Sequence, residues 1–431
     1  MSWLTAVVFL LIPAIAVVAR RSAGSWLAPS AFFAAFWTVF GGLPLVAGPV
    51  QVAPTGMLFI AGSCAAVLLG AWLAQKRARI ALTSRDVQEP PLLGWLIAAC
   101  TVMGLIVVVV IVASINVGGG SQGGLVGLIH QLAVARNAGT WQEPAVARIL
   151  TAATYLGPML SGIMIGLRSA ATGARGTNYR RWISLVVLVP SLLITAILTT
   201  RSSLLIPLAL GAGAYLATAV ATRSVPPLTL QRVALLVALL LVLGASFILV
   251  QMARYAGWSS GQPLAVAQLV WLDTFPYAGV FSAWFQAHAV TASLHPTLGQ
   301  YTFAGFFDLL HIHSRVAGLY TDQVVINGSN YNIYTVFRGL IEDFTIPGAL
   351  LFLAVVGFGA QVAYRRAQSG GLLFIGLLAA FYAFTVWSFV VNIFIYNSIV
   401  LAFAVLIGYL ALATRPSFIR AAARLGRSPA T

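Results

Sequence analysis

Runs of apolar residues close to a helical membrane span in length recur along this whole chain, and they decide what it can fold into. A helix needs about 20 such residues to cross a bilayer. Eleven stretches approach that length, at about 3–19, 25–48, 54–74, 92–115, 148–167, 182–198, 204–221, 233–252, 346–364, 371–391 and 393–412. They are apolar all round, whereas the strands of a membrane barrel alternate apolar and polar residues. Charged residues make up 7% of the 431 positions, against roughly 25% in a soluble domain. The expectation is an all-α, polytopic integral membrane protein with about eleven transmembrane helices, forming one membrane domain over 1–431.

The formal net charge of +16 would suit nucleic acid if it were gathered on one face. Instead it follows the loops. With Arg20 and Arg21 placed on the cytoplasmic side by the positive-inside rule, every other loop acquires a side. Lys76, Arg77, Arg79, Arg85, Arg168, Arg175, Arg180, Arg181, Arg223, Arg232, Arg365, Arg366 and the four arginines after residue 412 then fall inside. Only Arg136, Arg148, Arg201, Arg254, Arg315 and Arg338 fall outside. The basic excess is therefore topogenic, near anionic lipid, with the N-terminus outside and the C-terminus inside. No nucleic-acid partner is expected.

The other titratable groups gather on the outer side. All five histidines (His130, His288, His295, His311, His313) lie there, with Glu143, Asp273, Asp308, Asp322, Glu342 and Asp343; only Asp86 and Glu89 are inside. The spans carry almost no charge, which argues against an ion or proton path through them. Cys64 and Cys100 sit inside apolar runs, so neither a disulfide framework nor a metal cluster is implied. The first run is followed, not preceded, by basic residues, the reverse of a cleavable signal peptide.

Two outer loops are large. The first, 116–147, opens on a glycine-rich segment at 118–124 and continues as a short helix over 125–136. The second, 253–345, is too long for a structureless connection. Pro263 starts a helix through Leu272, and Pro276 ends it. A further segment spans 279–289, and Phe303, Phe306, Phe307 and Leu310 over 301–311 have the spacing of an amphipathic helix lying in the interface. The loop reads as an aromatic-rich helical subdomain resting on the membrane.

Its last part, 327–348, concentrates the polar chemistry. Arg338, Glu342 and Asp343 stand within six positions at the mouth of a span, where an ionised group is costly. Tyr334, Arg338 and Glu342 recur at four-residue steps, so one helical face presents a ring, a cation and a carboxylate. An exposed Arg338–Glu342 pair would contribute only about 0.3–0.5 kcal/mol. Thr345 can cap the following helix, with Pro347 in its first turn. Elsewhere, Arg201 lies in a very short turn between two spans, flanked by Pro190 and Pro207, which can kink them. Arg254 follows the eighth run beside Tyr255. Guanidinium groups match phosphate oxygens, and cations there can stabilise a departing phosphate. Asp343, Glu342, His311 and His313 are candidates to take a proton from an attacking hydroxyl. The two histidines are two apart and have no supporting metal-ligand spacing, so no metal is expected.

The turn at Arg201-Ser202, the large outer loop before the last three spans, and the segment Asn332-Ile-Tyr334-Thr335, Arg338, Asp343-Phe344 together resemble the O-antigen polymerases, the oligosaccharide repeat-unit polymerases. The family signature runs Asn-x-Tyr-Thr…Asp-Phe-Gly, and Thr345 stands in place of its Gly. The resemblance implies a GT-C-like, metal-independent membrane glycosyltransferase without cofactor, multi-pass in the bacterial inner membrane. It would face the periplasm and pass a growing glycan from undecaprenyl pyrophosphate onto the next lipid-linked repeat unit. It implies pyrophosphate contacts at Arg201, Arg254 and Arg338, and glycan contacts at Tyr331, Asn332 and Tyr334. The base would be Asp343, Glu342, His311 or His313. Partners would be the lipid-linked donor and acceptor, membrane lipid and a chain-length regulator protein. An O-antigen ligase would use the same donor, and the loop histidines suit it. A flippase for the same lipid would need polar residues across the bilayer, which the charge-poor spans lack.

Overall fold

The computed structural model describes residues 3–47, 51–77, 87–115, 132, 135, 141, 143–171, 185–198, 200–224, 276–312, 320, 324–326, 329–332 and 334–417. Its helices, in chain order, are α1 (Trp3–Ala23), α2 (Pro29–Ala47), α3 (Pro54–Arg77), α4 (Leu93–Ile115), α5 (Ala145–Ala171), α6 (Val189–Leu198) and α7 (Ser202–Ala221). They continue with α8 (Tyr277–Ala292), α9 (Ala304–Leu309), α10 (Thr335–Gln368), α11 (Leu372–Trp387) and α12 (Asn397–Ala413). Among the described residues, seven of these are long and apolar enough to cross a membrane, and α6, α11 and α12 are shorter apolar helices. The chain is therefore mostly helical with membrane-compatible helices. The expected run at 233–252 and the first outer loop's helix over 125–136 lie outside the described residues, apart from Leu132 and Ala135.

Two pairings build the core. α3 packs along α10, and α5 along α7, with α4 on α5 and α11 on α7. In hydrocarbon the helices gain little from hiding apolar surface, so close backbone approach matters more. A Cβ built on Gly70 would overlap the carbonyl of Ala354, and one on Gly357 would overlap that of Val67. These two glycines let α3 and α10 touch along their backbones.

Two of the basic residues expected on one side meet partners expected on the same side. Arg365 donates to the Gln75 carbonyl at 3.1 Å, and Arg168 pairs with Glu89 at 2.9 Å. Pro190 acts as expected, since the helix over 185–198 is interrupted by a turn at 187–188. Proline lacks the amide that would continue the ladder. Pro190 also fills the space left by Gly104 of α4, where a Cβ would stand 2.8 Å from it.

Pro276 is the N-cap of α8, which begins at Tyr277 and takes in the segment expected over 279–289; the helix expected over 263–272 lies outside the described residues. Elsewhere the second outer loop departs from its expected form in two ways. The amphipathic helix expected over 301–311 shrinks to the six residues of α9. Within this mostly helical chain the loop also holds one short hairpin, where β1 (Val324–Ile326) and β2 (Ser329–Tyr331) pair antiparallel, with Val324 opposite Tyr331 and Ile326 opposite Ser329. The β-branched Val324-Val325-Ile326 run suits such a pleated pair.

Most consequential is the break in α10. Thr345 has φ 69° and ψ 171°, in a region that side chains other than hydrogen rarely occupy. The break frees backbone groups on both sides, and each needs a partner. The carbonyl of Glu342 accepts from Thr297 N–H at 2.9 Å, and that of Asp343 from Leu298 N–H at 3.1 Å. Beyond the break, Thr345 Oγ1 accepts from Gly348 N–H at 3.4 Å, and Ser293 Oγ accepts from Ile346 N–H at 3.3 Å. Thr345 thus caps the second half of α10 with Pro347 in its first turn.

Candidate functional site

The segment before that break forms the site. α10 starts at Thr335, whose positive φ of 70° turns the chain into the helix. The Val336 amide donates to the Ser388 carbonyl at 2.8 Å, tying this start to the end of α11. Tyr334, just before it, is fully buried and donates its hydroxyl to the Tyr331 carbonyl at 3.1 Å. One turn on, Arg338 is only 3% exposed.

Burying a guanidinium requires compensation, because desolvating a single charge costs several kcal/mol. Arg338 receives it from four directions. Its Nε donates to Glu342 Oε1 at 2.8 Å. Its guanidinium carbon lies 3.9 Å from the ring centre of Tyr320, 4.2 Å from that of Tyr334 and 5.1 Å from that of Trp284. A desolvated cation over an aromatic face gains about 2 kcal/mol. The Tyr320 ring stacks on Tyr301 at 5.4 Å, and its edge meets Tyr334 at the same separation. Burial pushes the Tyr320 phenol well above its ordinary range; Glu342 adds to the rise, Arg338 opposes it, and Asp343 adds again. Tyr320 therefore stays a neutral hydroxyl beside the ion pair.

The face of ring, cation and carboxylate expected from the spacing is thus assembled, but as a closed cage. Glu342 is its most accessible charged member, with its side chain 13% exposed against 4% for Arg338.

Asp343 occupies a different position. It is fully buried, and both oxygens accept hydrogen bonds. Oδ1 takes Thr297 Oγ1 at 2.5 Å and Tyr301 N–H at 3.0 Å, while Oδ2 takes Thr302 N–H at 2.5 Å. This carboxylate holds the 297–302 turn against the broken helix. The Thr302 carbonyl in turn accepts from Asn392 Nδ2 at 2.8 Å, so the turn is fixed to the connection between α11 and α12.

Arg201 and His311 lie apart from this cage in the chain, whereas Tyr331 and Asn332 closely precede Tyr334. Arg201 is half-buried and precedes the first turn of α7, where its carbonyl accepts from Leu204 and Leu205. Beside it, the Thr200 and Ser203 hydroxyls share a hydrogen bond of 2.6 Å. His311 is exposed just after α9 with φ 57°, and its amide donates to the Asp308 carbonyl. Asn332 is exposed, and Tyr331 is buried. Arg254 and His313 lie outside the described residues. Among the described residues, no three His, Cys, Asp or Glu side chains gather as a metal site would require. Sequence reasoning missed Tyr320, Thr297, Thr302 and Asn392, which join the site from distant positions; only the density of aromatic residues pointed toward Trp284.

Comparison with protein-family models, with curated proteins and with solved structures finds no match for this chain.

Proposed function

We propose that this protein is a membrane glycosyltransferase that polymerises lipid-linked oligosaccharide repeat units at the outer face of a bacterial inner membrane. The donor would be a glycan on undecaprenyl pyrophosphate. The observation that carries the reading is the backbone at Thr345. The resembled signature ends in Gly, and this chain holds a glycine-type conformation at that position, φ 69° and ψ 171°, although the residue is Thr. A glycine-type break at that position, with Asp343 anchoring it and Arg338 caged about two turns before, supports the likeness beyond the residue letters.

On this reading the anomeric carbon–oxygen bond to the pyrophosphate breaks, and the lipid pyrophosphate leaves with the electron pair. A hydroxyl of the acceptor sugar forms the new glycosidic bond, and its proton passes to Glu342. Glu342 is preferred over Asp343 because Asp343 already accepts three hydrogen bonds in a fully buried setting. Arg338 positions Glu342 through the 2.8 Å contact. Arg201, at the start of α7, meets the pyrophosphate together with Arg254, where fixed positive charge stabilises the leaving group. The exposed Asn332 contacts sugar.

The test is deletion of the protein in its host, with the surface polysaccharide resolved on a gel. Single repeat units on the acceptor, restored to a ladder by the wild-type protein, are the expected result. A bare acceptor with polymer retained on the lipid carrier would identify a ligase instead.

A further inference from the structure

α10 and α11 separate below the Asp343-anchored turn to leave a cleft of about 390 Å³. Its walls are apolar, including Phe352, Phe381 and Phe384, and the small residues Gly359, Ala363 and Ala380 make the room. The mouth opens on the outer surface of the bundle. Leu351 and Val355 are exposed and precede Gly359 at four-residue steps on α10, and Leu377 of α11 is also exposed. A Cβ on Gly359 would meet nothing within 4 Å. In a membrane-spanning bundle, that surface faces lipid.

Two polar residues, Thr302 and Asn392, interrupt the apolar lining, and the Asn392 amide is already paired, donating to the Thr302 carbonyl and accepting from the Phe394 N–H. Thr302 lines the upper end of the cleft, is 2% exposed, and its hydroxyl has no hydrogen-bond partner. A buried hydroxyl left unpaired costs about 1–3 kcal/mol, so this one calls for an acceptor brought by the cleft's occupant. From Phe352 to Ala363 the wall of α10 runs about 16 Å at 1.5 Å per residue, close to one leaflet of a hydrocarbon core of about 30 Å.

We propose that this cleft holds one acyl chain of a bilayer glycerolipid, whose ester carbonyl accepts a hydrogen bond from Thr302 Oγ1. Charge selects this occupant over a phosphorylated one. No lining residue is cationic, and the Asp343 carboxylate lies one hydrogen bond from Thr302, so an anionic phosphate would be repelled where a neutral ester is not. The bound chain braces the turn that Asp343 holds, because Thr302 belongs to both. The inference rests on the membrane-spanning character of the helices and does not depend on the transferase reading.

The test uses the full chain in vesicles containing a phosphatidylethanolamine with a diazirine in one acyl chain. Photolysis and peptide mass spectrometry should place label at 352–363 and 377–384. That label should be lost in Gly359→Leu and in Ala380→Leu, weakened in Thr302→Val, and kept in Gly408→Leu, an exposed glycine outside the cleft with nothing within 4 Å of its added Cβ. Unchanged unfolding temperatures for these variants separate filling of the cleft from misfolding. Label spread evenly over the exposed helix faces, or displaced from the cleft by an added polyprenyl diphosphate, would overturn the proposal.

Discussion

Arg338 Nε donates to Glu342 Oε1 across 2.8 Å, inside a cage of Trp284, Tyr320 and Tyr334 that leaves the arginine 3% exposed. This relationship is different in kind from a surface ion pair. Removing one partner leaves an uncompensated buried charge, at a cost of about 3–5 kcal/mol. Arg338→Ala should therefore lower the unfolding temperature in detergent sharply. Arg338→Lys keeps the charge but loses the flat face that lies on Tyr320, and should fall between wild type and alanine. Equal unfolding temperatures for Arg338→Ala and wild type would remove the cage from the account.

Thr345 offers a test with the opposite sign. Its conformation costs about 1–3 kcal/mol for a residue with a Cβ, and its hydroxyl returns about 1 kcal/mol as a cap. Thr345→Gly relieves the first term and loses the second, so its stability should equal or exceed that of wild type. Thr345→Ala keeps the strain and loses the cap, and should be less stable. Thermal unfolding of both variants checks the order.

Asp343→Asn should loosen the 297–302 turn selectively. An amide in place of the carboxylate presents a donor to at least one of three groups that are themselves donors, Thr297 Oγ1, Tyr301 N–H and Thr302 N–H. The loss should be about 1–3 kcal/mol. Hydrogen exchange should rise at 297–303 while α3 and α5 remain protected.

Tyr320 gives a pH dependence. Its folded phenol titrates well above the ordinary value of 10.0, chiefly through burial. Above that ordinary value the unfolded chain releases a proton that the folded chain retains, so stability should fall as pH rises beyond about 10. Below it, both states are protonated and Tyr320 contributes no slope. Tyr320→Phe should flatten this alkaline decline, measured as unfolding temperature against pH.

Much of this was legible in the chain because it depends on local spacing. The apolar runs locate the helices, and four-residue steps bring Tyr334, Arg338 and Glu342 to one face. Thr345 and Pro347 mark a helix start that the broken α10 contains. What was not legible depends on contacts between distant residues. Nothing local to Asp343 shows that Thr297, Tyr301 and Thr302 will fold over it, so that its carboxylate holds their turn. Nor does the sequence near Arg338 show that Trp284 and Tyr320 will enclose it. The helix expected over 301–311 is short for the same reason, since its first residues are drawn into the turn around Asp343.

Reconstitution tests the proposed polymer synthesis, with Glu342 as base, most directly. Purified protein in vesicles would be given lipid-linked repeat units extracted from a strain lacking it, and the products resolved on a gel. The expected result is a ladder from wild type, none from Glu342→Gln or Arg201→Ala at unfolding temperatures that show both variants folded, and a ladder from His311→Ala. A full ladder from folded Glu342→Gln, or none from the wild-type protein, would contradict the account.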